Sequence, residues 1–200
     1  MKKYKLYIFD IDGVILDSKL NMQITWNEVR KIYKLKPQFD DYFKLIGSPF
    51  LKILGKLNIK SDKIKIAKSY SQISKKNFSK IKLYPKIRRV LNKLKLHSKI
   101  AVVTSKEKRR TQFFLKKFNL KFDDISCPEK GKRGKPYPDQ LLKVMKKCNI
   151  EKKDCVYIGD MKVDLVAAKN AKIDFILANY GYETRVIKKV SKINNLQDLT

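Results

Sequence analysis

One histidine, three cysteines and 19 acidic residues set against 48 basic ones are the scarcities of this 200-residue chain. The histidine, His97, stands in Lys95-Leu96-His97-Ser98-Lys99 just before an apolar run. Ser-His-Asp or Cys-His chemistry would have to rest on it alone, and a histidine at a helix end is the plainer reading. Cys127, Cys148 and Cys155 show no Cys-x-x-Cys or metal spacing. An odd count suits a reducing compartment better than a disulfide framework, so they read as core thiols. No run of about 18 apolar residues occurs, so no membrane-spanning helix is predicted. The Met1-Lys2-Lys3 start leads into a brief apolar stretch without a small-residue cleavage site, which makes the cytoplasm the expected location.

The shortage of acids leaves a formal net charge of +29, a field that attracts nucleic acid, anionic membrane or anionic metabolites. Lysines nevertheless occur in every segment, bunching only at Lys106 to Arg110 and Lys130 to Lys135, and aromatics do not interleave with them as a stacking platform requires. The charge therefore reads as compositional drift toward a solvated basic surface. Nucleic acid is a disfavoured partner that the charge does not exclude. With 43% hydrophobic residues the chain can bury a core, and its length suits one substantial core or a core plus a small insert.

The chain is organised around Leu6 to Val14. A run of β-formers, Leu6 to Phe9, stops at Asp10 and Asp12, with Gly13 behind them. Continuous apolarity over a strand's length indicates burial on both faces, hence a parallel sheet with helices on either side. Ligands of such sheets bind beyond the carboxyl ends of the strands, which is where both carboxylates fall, although a strand ending in a polar turn would account for them equally. From 16 to 82 the pattern is helical throughout: Leu20 to Tyr33, then Asp40 to Ile46, then Leu51 to Leu57, and a longer helix capped by Asp62. A strandless insert here is expected to form a small separate domain over the site. After Pro85 helices alternate with strands at Ile100–Val103, Phe122–Ser126, Cys155–Ile158 and Phe175–Ala178. Polar groups follow three of the apolar strands in turn: Asp10 and Asp12, Thr104, and Asp160.

Carboxylates, a hydroxyl and a lysine at neighbouring strand ends suit a phosphoryl group held with a divalent cation. Oxygen ligands without thiolate or histidine favour magnesium over zinc. Hydrolysis of a phosphate monoester faces one of the highest uncatalysed barriers, and an attacking anion adds repulsion that a cation, a lysine and backbone N–H groups can neutralise.

Asp10-Ile11-Asp12-Gly13-Val14, Val103-Thr104-Ser105-Lys106, Gly134-Lys135-Pro136-Tyr137-Pro138-Asp139 and Gly159-Asp160 to Asp164 resemble, in order, the four motifs of haloacid dehalogenase-like phosphatases. The resemblance covers essentially the whole chain. It implies a Rossmann-like three-layer α/β core (1–15 and 83–200) carrying an inserted all-helical cap domain (16–82). It implies Asp10 as a nucleophile that becomes phosphorylated and Asp12 as general acid and then base. Thr104 would bind the phosphoryl group together with the Ser105 N–H at a helix start, and Lys135 would neutralise both phosphate and Asp10. Magnesium would be held by Asp10, the Asp12 carbonyl and Asp160, with Asp164 acting directly or through water. For Asp164, a helix-dipole partner in a first turn is the alternative.

Within the family, Leu45-Ile46-Gly47-Ser48-Pro49-Phe50 and Thr104-Ser105-Lys106 are similar to the phosphoglycolate phosphatase and pyrophosphatase branch, with the loop at Gly47 and Ser48 expected to choose the leaving group. The arginine that a β-phosphoglucomutase-like enzyme would place shortly after that glycine is absent, so hydrolysis is expected rather than transfer. Lys86 and Lys172 stand where relatives usually place glycine; a positive φ there would cost about 1 kcal/mol. The expected activity is hydrolysis of a small phosphorylated metabolite, with nucleotidase, pyrophosphatase or sugar-phosphate phosphatase or phosphomutase as alternatives. A nucleic-acid-binding protein and a catalytically silent relative are the readings from other classes.

Overall fold

The computed structural model describes residues 2–184 and 187–200. Eight strands and eight helices follow one another as β1 (Leu6–Phe9), β2 (Leu16–Asp17), α1 (Lys19–Tyr33), α2 (Phe39–Phe43), α3 (Phe50–Lys56), α4 (Lys63–Lys76), β3 (Lys82–Leu83), α5 (Ile87–Lys95), β4 (Lys99–Val103), α6 (Lys108–Lys117), β5 (Asp124–Ser126), α7 (Asp139–Cys148), β6 (Cys155–Gly159), α8 (Lys162–Ala171), β7 (Asp174–Ala178) and β8 (Ser191–Ile193).

Six strands form a parallel sheet in the order β5-β4-β1-β6-β7-β8. Strand β1 lies between β4 and β6, so the chain leaves it in both directions and opens a crevice at its carboxyl end. The pleat divides the apolar strands between two cores. Tyr7, Phe9, Ile100, Val102, Val156 and Ile158 pack with Val90, Leu91, Leu94, Phe114 and Leu115 of α5 and α6. Leu6, Ile8, Ala101, Val103, Cys155 and Tyr157 pack on the other face with Leu141, Val144 and Met145 of α7 and Ala167, Ala168 and Ala171 of α8. This is the expected three-layer α/β arrangement. All three cysteines are free and buried, and His97 is exposed just past α5.

Helices α1 to α4 gather around a third cluster centred on Trp26, Tyr42, Leu54, Ile66 and Tyr70. The buried face of α1 runs through Met22, Trp26 and Val29, whereas Leu20 and Ile32 are 51% and 60% exposed. Apolar residues at helical spacing thus fall on both the covered and the solvent side of this helix. Asp62 caps α4, its Oδ1 accepting from the Ile64 and Lys65 N–H groups at 3.0 Å.

Two differences from the sequence reading concern strands. The 16–82 segment is not strandless, because β2 and β3 pair antiparallel across Leu16–Leu83 and Asp17–Lys82 and bring the two ends of the insert together. Strand β8 extends the sheet beyond β7. It escapes sequence reading because two of its three residues, Ser191 and Lys192, are exposed and polar.

Lys86 and Lys172 both adopt left-handed backbone, at φ 61° and 58°. Lys172 ends α8, donating its N–H back to Ala168 and Lys169. Lys172→Gly is expected to stabilise the fold by up to about 1 kcal/mol, read as a higher urea midpoint at unchanged m.

Candidate active site

The carboxyl ends of β1, β4 and β6 deliver three of the polar groups. Asp10 is tied to the neighbouring strand by its N–H on the Ile158 carbonyl at 2.9 Å, and Thr104 by its N–H on Ser126 at 3.1 Å. Asp160 follows β6 and is fully buried. Asp164 sits in the first turn of α8, its Oδ2 accepting the Met161 N–H at 3.0 Å. Lys135 arrives on the long loop before α7. Its Nζ lies 3.0 Å from Asp10 Oδ2, 2.7 Å from Asp164 Oδ1 and 3.2 Å from the Tyr157 hydroxyl.

Asp10, Asp160 and Asp164 each offer an oxygen within 4.8 Å of the others. Burial pushes the Asp10 carboxyl from its ordinary 3.8 up to about 7, Lys135 pulling it back and Asp164 raising it further. Asp160 is driven well above the carboxylate range by burial, then by Asp164 and Asp10. Burial alone would lower the Lys135 ammonium, but Asp10 and Asp164 outweigh it and the group stays charged. The Oδ1 atoms of Asp10 and Asp160 are buried without a hydrogen-bond partner. By contrast, Asp164 is fully engaged, since Tyr157 also donates to its Oδ1 at 3.0 Å. It thus sits in the first-turn position that the helix-dipole alternative requires, and in contact with Lys135 as well.

Two glycines make room for Asp160. A Cβ on Gly13, whose φ is +85°, would lie 2.1 Å from Asp160 Oδ2, and one on Gly181 would lie 2.2 Å from Asp160 Cβ. Beyond Gly181, the Tyr182 N–H donates to Asp160 Oδ2 at 2.7 Å.

In front of Asp10 lies a cavity of about 60 Å³ lined by Asp12, Gly47, Ser48, Thr104, Ser105, Lys106 and Arg110 among others. A one-water cavity needs about 10–15 Å³, so there is space for only a few non-hydrogen atoms. Asp12 is held by Lys106 Nζ at 2.9 Å on Oδ2 and by the Ser18 hydroxyl on Oδ1. The Thr104 hydroxyl accepts the Lys106 N–H at 3.2 Å. Ser105 turns its hydroxyl to the Gly47 carbonyl at 2.5 Å, joining the sheet end to the insert. The structure corrects one detail here: α6 begins at Lys108 with Glu107 as its cap, so Ser105 lies in the turn before the helix and not at its start.

All nine residues singled out from the sequence therefore converge: Asp10, Asp12, Thr104, Ser105, Gly47 and Ser48 around the cavity, with Lys135, Asp160 and Asp164 behind Asp10. Sequence reasoning missed Arg110, Tyr157, Gly181 and Tyr182, and quoted Lys106 without giving it work. The bunching at Lys106 to Arg110 is not all solvated surface, because Lys106 and Arg110 are each 7% exposed. The only signal for Gly181 is a scarce glycine just past an apolar strand.

Buried carboxylates and a lysine at the switch point of a parallel sheet, under a helical insert, define an α/β enzyme class with a small site. The chain belongs to the haloacid dehalogenase-like hydrolase family, whose model matches residues 7–178. It is 28% identical to the phosphoglycolate phosphatase of Aquifex aeolicus over 89% of this chain and 86% of the relative. It is 30% identical to the phosphorylated carbohydrates phosphatase of Thermotoga maritima over 84% and 82%. Among solved structures, a hydrolase from Pseudomonas syringae superposes with a TM-score of 0.86 at 23% identity, covering 98% of this chain and 95% of that one.

Gly181→Ala forces a Cβ against Asp160, and overpacking of this kind costs about 1–3 kcal/mol. The expected outcome is a lower urea midpoint than wild type, with Gly55→Ala, where an added Cβ meets nothing within 4 Å, as the control that does not fall.

Proposed function

We propose that the protein is a magnesium-dependent phosphatase that hydrolyses a small, phosphoglycolate-like phosphomonoester through an aspartyl-phosphate on Asp10. One observation carries this reading. Three buried carboxylates, Asp10, Asp160 and Asp164, face a single ammonium, Lys135, leaving two uncompensated negative charges and two buried oxygens without partners. A hard divalent cation fits that deficit and that donor set. Asp10 and Asp160 carry the free oxygens to hold it, and the Asp12 carbonyl would add to them as the family resemblance implies. Asp164, with both oxygens occupied, acts from behind through Lys135 or through a water. Magnesium, when bound, would supply charge to offset repulsion between the Asp10 carboxylate and a phosphoryl dianion.

Lys135 opposes the effect of burial on the Asp10 carboxyl and aims it through the 3.0 Å contact on Oδ2. The Asp10 oxygen forms a bond to phosphorus as the ester P–O bond breaks, and Asp12 gives its proton to the departing oxygen. Thr104 accepts from the Lys106 N–H, so its own hydroxyl proton is free for a phosphoryl oxygen. The backbone N–H of Ser105 serves another. Asp12, now a carboxylate, takes a proton from water as that water attacks phosphorus and the Asp10–phosphorus bond breaks. Phosphate leaves and both aspartates return to their starting states.

The narrow cavity supports a leaving group of a few atoms over a nucleoside. The absence of an arginine at Ser48 to Leu51 supports water over a sugar hydroxyl as acceptor. The domain division at 16–82 belongs to the same proposal, with the loop at Gly47 and Ser48 as the surface that meets the leaving group.

Asp10→Asn is expected to lower magnesium-dependent phosphate release by about 1,000-fold or more; release that survives the change rejects Asp10 as nucleophile. Stability offers a second measurement. Because burial raises the Asp10 carboxyl to about 7, the folded state holds a proton that the unfolded chain loses near its ordinary 3.8. The metal-free protein should therefore lose stability as pH rises from about 4 to 7. Added magnesium should raise the melting temperature more at pH 7.5 than at pH 5, and less in Asp160→Asn. A melting temperature unmoved by magnesium at both pH values contradicts the metal assignment.

A further inference from the structure

Arg110 is the cation at this site whose charge the protein does not balance. Lys106 pairs with Asp12, and Lys135 with Asp10 and Asp164. No carboxylate among the described residues pairs with Arg110. The adjacent acid, Glu107, directs its oxygens to the Arg109 and Arg110 backbone N–H groups at 2.9 and 3.2 Å. Arg110 is nevertheless only 7% exposed, and its Nε is buried with no hydrogen-bond partner. It reaches from α6 to the insert, where Nη2 donates to the Ser74 hydroxyl at 3.0 Å and the group stacks 4.9 Å from the Tyr70 ring centroid. Ser74 in turn is held by Asn21, which accepts its hydroxyl proton at 2.7 Å. Arg110 is thus a fixed element of the cavity lining at the point where the insert covers it.

A buried, unpaired charge is strongly unfavourable unless something answers it. The phosphoryl end of a substrate already has Thr104, Ser105 and Lys135. We propose that Arg110 is the specificity-determining residue for the leaving group, its guanidinium receiving a second anionic group, carboxylate or phosphoryl, one or two carbons or a bridging oxygen away from the scissile phosphorus. The inference rests on the phosphatase reading and adds to it the charge of the leaving group and the residue that reads it. The planar fork of arginine suits either anion, whereas a lysine offers only a point charge. The cavity volume restricts the spacer to a short one.

The test compares kcat/KM for 2-phosphoglycolate, pyrophosphate and ethyl phosphate, the last having the same two carbons without the second anion. Wild type is expected to prefer one anionic substrate over ethyl phosphate, and which one it prefers identifies the anion as carboxylate or phosphoryl. Arg110→Gln is expected to lower that preference ratio by about 10- to 100-fold, the worth of a charged hydrogen bond. An unchanged ratio, or an equal fall on all three substrates, overturns the subsite and assigns Arg110 a structural role. Should Arg110→Gln fail to fold, Arg110→Lys decides through the same ratio: a reduced value supports the subsite and an unchanged one overturns it. Turnover by wild type that Asp10→Asn abolishes, with no preference for either anionic substrate, removes the subsite and leaves the phosphatase reading intact. No turnover of any substrate removes both.

Discussion

The structure depends on holding three carboxylates and one ammonium in a volume from which water is excluded. Each such ion costs roughly several kcal/mol to desolvate in a real protein, and Lys135 can answer only part of the charge of Asp10, Asp160 and Asp164. The sheet makes the cluster possible. Asp10 and Asp160 follow adjacent parallel strands whose register is locked by the Asp10 N–H on Ile158, so the two acids cannot drift apart without breaking the ladder. Tyr157, buried in the middle of β6, accepts from Lys135 at 3.2 Å and places its one hydroxyl proton between Asp164 Oδ1 at 3.0 Å and the Val103 carbonyl at 3.1 Å. The hydrophobic layers thus supply the rigidity that keeps like charges together.

The same constraint shapes the surroundings. Bringing backbone against Asp160 from two sides requires glycine at 13 and 181. The second ring of contacts reaches the insert: the Ser18 hydroxyl donates to Asp12, and the Ser18 backbone N–H donates to the Tyr182 hydroxyl at 2.8 Å. Tyr182 therefore links the loop after β7, which positions Asp160, to the loop that positions Asp12. On the opposite side, Ser105 to Gly47 and Arg110 to Ser74 join α6 and its preceding turn to the helices above. Insert and sheet meet through polar contacts at the cavity rim, while Met161 carries the apolar packing across, lying within the insert's own cluster.

Much of the fold was legible because its signals are local. The strands β1, β4, β6 and β7 are apolar runs bounded by polar residues, and Asp62 and Pro85 punctuate the helices in the usual way. What escaped has a common cause: β2, β3 and β8 are two or three residues long with half their side chains in solvent, so their pairing is decided by neighbours distant in sequence. Which face of α1 is covered is undecided in the sequence for a related reason. Apolar residues occur around the helix, and only the position of α4 and α2 determines that Trp26 is covered and Ile32 is not.

By itself the sequence determined the order of elements and the carboxylates and hydroxyl that end up at the strand termini, since a polar residue directly after a buried strand has one place to go. It also confined any thiolate or imidazole chemistry to three cysteines without metal spacing and a single histidine. Lys135 apart, which its motif singles out, only the tertiary structure decided which of the 48 basic residues do anything beyond solvation. Outside a motif, a lysine or arginine reads identically wherever it stands in a chain. Its role follows from what lies within about 3–4 Å in space, and that separates Lys135 between two acids, Lys106 on Asp12, and Arg110 buried without a counter-ion from the solvated majority.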